Sequence, residues 1–354
     1  MLYSNEPVQV EFHADDYGLF PEQSKHILHC MESGALNGVS IMPNSPYLQE
    51  CMQMLAEACA TRRKNTSLTD SASSRGTHVP ESHTGRCDAG LSHLASPVSA
   101  PPVSLTIHLN LVEGKALSPL HKVSSLTDAD GIFRPSFGKL LLVSCAPVLR
   151  GRFLRQIRTE FRHQIRRCKP YFEDPAFCQQ IRLDSHVHFH MIPVVFDAMI
   201  QAAKLEDLHP SYIRIPKESV FLYLKRLPCL EHVRPVNFLK VLILNLLALR
   251  ARLRYGSTPL GAAPALFSGV MLSGYMSKKN VRAILPDFLA LCKKKNQNLE
   301  MLFHPGAVCS EAELSQVTSA DDKTFFTDAG RSEEAEALIA LKNEPFVVRP
   351  ADSP

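Results

Sequence analysis

The chain lacks tryptophan, a C-x-x-C cysteine pair, an apolar run long enough to cross a bilayer, and a large excess of charge of either sign. The missing tryptophan carries no structural reading, but the other absences exclude classes of protein. The ten cysteines are scattered without regular spacing. That excludes a disulfide framework or a cysteine-rich zinc module and reads as reduced thiols in a cytosolic or nuclear protein. The N-terminus, MLYSNEPVQVEF, has neither the basic region nor the apolar core of a signal peptide, so a cytoplasmic location is expected. The strongest apolar run, Val241–Leu249, is bracketed by Lys240 and Arg250 and interrupted by Asn245. It is too short for a membrane span and reads as a buried helix. A net charge of +4 on 354 residues, 21% of them charged, is far from that of a dedicated nucleic-acid binder.

What is present is histidine in an unusual pattern. In LDSHVHFHMIP, residues 183–193, His186, His188 and His190 alternate with Val187, Phe189 and Met191. Strict alternation predicts a β-strand with the three imidazoles and Asp184 on one face. Neutral imidazoles on one face suit a cation, so the remaining ligands are sought elsewhere. VQVEFHADDYG reads as a strand ending in Asp15 and Asp16 before a turn at Gly18. SLTIHLNLVEG reads as a strand with His108 on its polar face. One aspartate and a histidine from each of two further strands leave coordination room for water, as catalytic sites require. On an ideal strand Asp15 and Asp16 point to opposite faces, so the ligand of the two stays open, and the Gly18 turn is expected to bring both inward. Neighbours in the His triplet stand about 6.5–7 Å apart along a strand. One cation therefore cannot take all three, with His186 the first choice and His188 the second.

Strand and helix patterns alternate along the chain, which predicts a parallel sheet with helices outside it. Pro21 suits a first helical turn, with Ile27, Leu28 and Met31 as its apolar stripe. From Gly151 a helix is predicted with Leu154, Ile157, Phe161 and Ile165 inward, and Arg155, Arg158, Arg162 and Arg166 on a solvated face. Ser277 suits the cap of a helix over Lys278–Lys295, and Glu300–His304 reads as a final strand delivering His304. Residues 61–104 are rich in Ser, Thr, Gly, Pro and His and poor in large apolar groups. They read as a disordered insertion in which His78, His83 and His93 are solvated. One domain over 1–346 with a flexible tail at 347–354 is expected.

These motifs resemble, in order, those of the YdjC-type carbohydrate deacetylases, whose bacterial members include chitooligosaccharide deacetylases. The blocks are HADDYG (13–18), GVSIMPN (38–44), IHLNLVEG (107–114), LDSHVHFH (183–190), IRIPKE (213–218), SGYMS (273–277), LFHPG (302–306) and the Arg331–Leu338 segment. His13 stands where the family more often has Asn, Tyr17 where Phe is usual, and 61–104 where the connection is usually short. The resemblance implies a distorted TIM-like α/β barrel of about seven strands, with its site at the strand C-terminal ends.

It also implies Asp16, the second aspartate, as a ligand beside His108 and His186, holding one divalent cation. Zinc suits the donors best; magnesium and manganese stay open. The expected chemistry is hydrolysis of an acetamide by metal-activated water. Asp15 is the expected general base and His304 the acid that protonates the departing amine. Asp184 is expected to hold a ligand ring's other nitrogen. His188, His190 and Arg214 are expected to support ligands or contact sugar, with Arg214 equally able to bridge loops. The implied partner is an acetylated oligosaccharide, with no nucleic acid or membrane, and a homodimer is the expectation for assembly. Two other readings stand beside this one. They are a glycoside hydrolase using two carboxylates and a non-enzymatic interaction protein on the same scaffold.

Overall fold

The computed structural model describes residues 8–73, 103–175, 177, 180–256, 265–306, 311–315, 317 and 320–342. Among these are seven strands: β1 (Val10–Tyr17), β2 (Gly38–Ile41), β3 (Ser104–Leu109), β4 (Arg182–Ser185), β5 (Tyr212–Ile213), β6 (Leu266–Ser268) and β7 (Leu299–Phe303). All pair in parallel, in the order β5-β4-β3-β2-β1-β7-β6. The result is a curled half-barrel of the distorted TIM-like kind, with helices outside. The helices of the first half are α1 (Pro21–Glu32), α2 (Leu48–Ser73), α3 (Leu120–Val123), α4 (Phe137–Cys145), α5 (Pro147–Glu173) and α6 (Pro193–Leu205). Those of the second are α7 (Val220–Arg226), α8 (Pro235–Tyr255), α9 (Lys278–Lys295), α10 (Glu311–Leu314), α11 (Ala320–Phe326) and α12 (Gly330–Leu341). No helix among the described residues is long and apolar enough to cross a membrane.

Alternation along the strands sorts apolar from polar, but in the direction opposite to a filled barrel. Val10, Phe12 and Ala14 of β1 and Leu299, Met301 and Phe303 of β7 belong to the apolar core. Between them Glu11, His13, Asp15 and Glu300 meet polar groups of β2, β4 and β5. The apolar core thus lies between sheet and helices, and the barrel interior is a layer of charge. Gly38 makes room for that layer, because a Cβ there would stand 2.4 Å from the His13 ring.

The outer helices match the sequence patterns with three differences. α1 starts on Pro21 and buries Ile27, Leu28 and Met31, and α9 is capped by the Ser277 hydroxyl. α2 runs on to Ser73, beyond the point where a loop is expected, while 74–102 and the 343–354 terminus lie outside the described residues. The arginine face of α5 is solvated in part, with Arg155 exposed and Arg166 52% exposed, and docked in part. Arg162 and Arg166 each reach Glu206 at 2.6 Å, and Arg158 donates to Gln201. α8 is a helix as expected, but only one of its faces, with Val241, Leu244, Ala248 and Ala251, is buried.

Strands β5 and β6 are the two edges and do not pair with each other. A carboxylate bridges them instead. Glu218, just beyond β5, accepts the backbone N–H groups of Gly269 (2.6 Å), Val270 (2.5 Å) and Met271 (3.1 Å), just beyond β6. Asn245 of α8 bonds the backbone of Glu218 on both sides, which explains the amide inside the apolar run. Gly269 is required there: its φ is +152°, and a Cβ would stand 2.6 Å from that of Leu302. Burial pushes the Glu218 carboxyl up to about 7, against the pull of these donors. Its ordinary value is 4.5, so the folded state keeps a proton that the unfolded state releases between those pH values. The stability from this group is complete below about pH 4.5 and is lost as pH rises through about 7. Melting temperatures measured from about pH 5 to 8 should therefore decline less in Glu218→Gln than in the wild type. Parallel declines would count against a protonated Glu218.

Candidate metal centre at the strand ends

β1 ends in a bulge. Its register against β2 shifts between Ala14 and Tyr17, and Asp16 adopts a left-handed backbone, φ +67°. This conformation, tolerable for aspartate, turns two sequence neighbours toward one centre. The bend begins at Asp16 itself and continues at Gly18, φ +86°.

The His triplet departs from the expected strand. β4 stops at Ser185, and residues 186–191 form a tight 3-10 turn in which Val187 and His188 are left-handed, φ +50° and +56°. Two such residues in succession are strained. The Ser185 hydroxyl holds the turn by accepting the His190 N–H at 2.7 Å and bonding His190 Nδ1 at 2.8 Å. His190 Nε2 donates to the Arg214 carbonyl at 2.8 Å, so both its nitrogens are engaged in the scaffold. His186 consequently parts from the other two imidazoles, whose rings meet edge-on at 6.3 Å. His186 reaches Asp16, His190 is buried, and His188 lies half-buried against Phe267, ring centroids 5.8 Å apart. The H-x-H-x-H alternation imitates a strand because a tight turn leaves no mark in a two-residue period.

Asp16 Oδ1 lies 2.8 Å from His186 Nδ1 and 3.4 Å from His108 Nε2. His108 donates from Nδ1 to Asp184 at 2.7 Å, which fixes its ring and turns Nε2 toward Asp16. That Nε2 is buried without a hydrogen-bond partner. Asp184 also accepts the Ser40 hydroxyl (2.8 Å), which bonds His13 (2.8 Å), which bonds Glu11 (2.6 Å). A continuous polar chain thus runs from Glu11 to His108. His13, flagged by sequence as unusual, is one of its links.

Arg214 lies behind these groups, 1% exposed. It contacts both oxygens of Asp15 at 2.8 Å, Asp184 at 2.5 Å and Glu300 at 2.7 Å. Its charged contacts are to carboxylates of β1, β4 and β7, so it joins strands. Arg182 does the same for Glu11, at 2.7 Å from each oxygen.

Among the described residues three His/carboxylate clusters have the spacing to hold a metal ion: Asp16/His108/His186, Glu11/His13/Glu300 and His13/Asp15/Asp184. In the latter two the carboxylates already carry a guanidinium. Only the first has none, and its donors, one carboxylate and two imidazoles with an unpartnered buried nitrogen, fit a divalent cation.

Electrostatics agree with that division. Burial disfavours the Asp15, Asp16 and Asp184 anions, yet all three are held below the usual carboxylate range, Asp15 and Asp184 chiefly by Arg214 and Asp16 by His186. Burial likewise opposes charge on His108, but Asp184 and Asp15 raise it to about 10, and Asp16 raises His186. A cation entering here must displace those protons.

His304 follows β7 as expected. Its N–H donates to Glu334 of α12, its ring meets Phe325 edge-on at 5.2 Å, and its Nδ1 has no hydrogen-bond partner. Burial, with help from Arg331, lowers it to about 4. Arg331 donates to the Gly306 carbonyl at 2.7 Å and stacks over Phe325 and Phe326, fixing the His-Pro-Gly turn. Sequence reasoning missed Ser40, Glu218, Glu300 and Glu334 as organisers of the site. Ser40 and Glu300 left a signal, each a polar residue between apolar neighbours in its strand, Val39 and Ile41 in β2 and Leu299 and Met301 in β7.

The fold and this centre define an α/β half-barrel protein with an Asp/His/His set at the C-terminal ends of its strands. The chain belongs to the YdjC-like protein family, which it matches over residues 9–344. It is 27% identical over 281 residues to a carbohydrate deacetylase of Thermoanaerobacter pseudethanolicus (strain ATCC 33223 / 39E), covering 77% of this chain and 89% of that one. It is 22% identical over 223 residues to a carbohydrate deacetylase of Danio rerio, covering 63% of this chain and 54% of the relative. Its fold is similar to the crystal structure of an Enterococcus faecalis V583 protein named "putative cellobiose-phosphate cleavage protein" (TM-score 0.54, 17% identity, 98% of each chain).

Removing Arg214 would leave three buried carboxylates without their cation. Arg214→Met should destabilise the protein by about 3–5 kcal/mol, read from urea denaturation. A loss below about 1 kcal/mol would show that the carboxylates neutralise each other by taking up protons.

Proposed function

We propose that this protein is a metal-dependent hydrolase that removes acetyl groups from N-acetylated carbohydrates, of which chitooligosaccharides are the leading substrate class. The reading rests on family membership, on the two relatives named carbohydrate deacetylase, and on one structural observation. The observation is that Asp16, His108 and His186 converge without a guanidinium among them. These three residues would hold one divalent cation, zinc by donor type, with magnesium and manganese open. When bound, such an ion lowers the pKa of a water and polarises an acyl oxygen.

The chain's own residues supply the rest. Asp184 orients His108 through Nδ1, as a carboxylate commonly does for a ligating imidazole. Arg214 keeps Asp15 ionised, so Asp15 can accept the proton released by the attacking water. An amine departs poorly unless protonated, and His304, with Nδ1 unpartnered, is the donor in reach of the same charges. Held neutral beforehand, His304 gains that proton during turnover, and Asp15 is the group that the reaction loads with one. His188, half-buried and backed by the buried Phe267 ring, is the aromatic edge that a sugar could meet.

The glycosidase reading fares worse. It needs one carboxyl kept protonated as an acid, whereas Asp15, Asp16 and Asp184 are all held ionised.

The test is elemental analysis of purified protein together with acetate release from N-acetylated sugars. Asp16→Ala should lose the bound metal and the activity. Asp15→Asn should keep the metal while kcat falls at least about 100-fold. Full metal occupancy in Asp16→Ala, or acetate release that persists after a chelator has stripped the metal, would defeat the proposal.

A further inference from the structure

His13 of β1 is wholly buried, and the protons in its hydrogen bonds can be counted. Its Nδ1 lies 2.6 Å from Glu11 Oε1 and its Nε2 lies 2.8 Å from the Ser40 hydroxyl, which donates to Asp184 Oδ2 at 2.8 Å. Three bonds in a row need three protons. A hydroxyl supplies one and a neutral imidazole supplies one. The carboxylates at the two ends do not lend the third, because each already receives cationic donors. Arg182 Nη1 lies 2.7 Å from both oxygens of Glu11. Arg214 lies 2.5 Å from the Asp184 oxygen that faces Ser40, and His108 lies 2.7 Å from the other. Burial opposes charge on both acids, yet Arg182 holds the Glu11 carboxyl at about 2 and Arg214 holds that of Asp184 below the usual carboxylate range.

We propose that His13 carries a proton on each ring nitrogen and, as a buried cation, is a positioning residue for His108. With the ring donating from Nε2, the Ser40 oxygen accepts, and the single Ser40 hydrogen is committed to Asp184. Asp184 then meets donors alone. It takes the Nδ1–H of His108, and His108 Nε2 is left turned toward Asp16. A neutral ring breaks this row at one of two places. Protonated on Nδ1, it draws the Ser40 hydrogen to itself and sets a hydroxyl lone pair against Asp184. Protonated on Nε2, it sets its own lone pair against Glu11.

The surroundings suit a cation. Two further carboxylates face the ring, Asp15 at 3.8 Å from Nε2 and Glu300 at 3.9 Å from Nδ1. Arg182 and Arg214, the guanidiniums of this layer, are bonded to the same set of carboxylates. A buried charge is tolerated when it is paired and hydrogen-bonded, and the ring has both. The neighbouring strand is shaped to the contact: a Cβ on Gly38 would stand 2.4 Å from His13 Nδ1 and 2.5 Å from Glu11 Oε1, on the bond itself. What His13 does for a bound ion rests on the proposed function; its charge does not.

The test is nitrogen NMR of the full-length, metal-free protein labelled on its histidines, at about pH 7.5, where an unperturbed histidine is neutral. The His13 ring, assigned through bonds to its own backbone, should show a hydrogen on both nitrogens. This measurement needs no variant and so stands if substitution prevents folding. Titration with zinc alone should then show an affinity about 10- to 100-fold weaker in His13→Asn and in Ser40→Ala. Because the two residues act as one row, the double variant should bind no more weakly than either single, whereas separate structural losses would add. A bare ring nitrogen on His13, a zinc affinity indifferent to His13→Asn, or additive losses would overturn the proposal. A wild type that binds no divalent ion would sink the proposed function and the positioning role with it, while two protonated ring nitrogens would still uphold the buried cation.

Discussion

Arg214 is the fixed cation around which the barrel interior is arranged. Asp15 of β1, Asp184 of β4 and Glu300 of β7 all lean on its guanidinium. β1 and β7 are neighbours, but β3 and β2 stand between them and β4, so the contacts tie together, across the inside of the half-barrel, strands that do not pair. The interior holds five carboxylates, Glu11, Asp15, Asp16, Asp184 and Glu300, against two guanidiniums, Arg182 and Arg214. Buried charge is costly unless paired. Both guanidiniums are committed elsewhere, and Asp16 is left facing two imidazoles. Asp16 is thus the carboxylate without a guanidinium, and a divalent ion fits there by displacing the protons that it favours on His108 and His186.

Much of this was legible wherever the chemistry follows strand period. β1, β3 and β7 form as read, and His108 falls on the predicted polar side of β3. Asp184 was read as the partner of a ligating ring and lies 2.7 Å from His108. Illegibility begins where the backbone leaves the period. Asp16, Val187 and His188 all have positive φ, and residues of these types give no local warning of it, as glycine would. Those three residues decide that Asp15 and Asp16 both point inward and that His186 parts from His188 and His190.

A second kind of feature was invisible for a different reason. Glu218 and Glu334 spend their carboxylates on backbone N–H groups of distant segments, the turn after β6 in one case and His304 with Met276 in the other. Burial raises both to about 7. A lone glutamate beside a helix start looks in sequence like any surface residue, because its partners are peptide groups that every segment has. Yet these two close the open side of the sheet and seat the residue proposed to deliver a proton.

The polar interior also shapes the outside. A barrel filled with charge contributes little hydrophobic stabilisation, so apolar burial falls to the layer between strands and helices, where Phe12, Phe161, Phe288 and Phe303 lie. Helices in that layer need one apolar face, and α5 and α9 have one, with charged residues outward. α8 has two, and among the described residues nothing packs on the second. The amide of Asn245 fixes the helix to the Glu218 segment, which sets the orientation of that face relative to the sheet. The anchoring that closes the gap between β5 and β6 thus also fixes how α8 lies against the barrel.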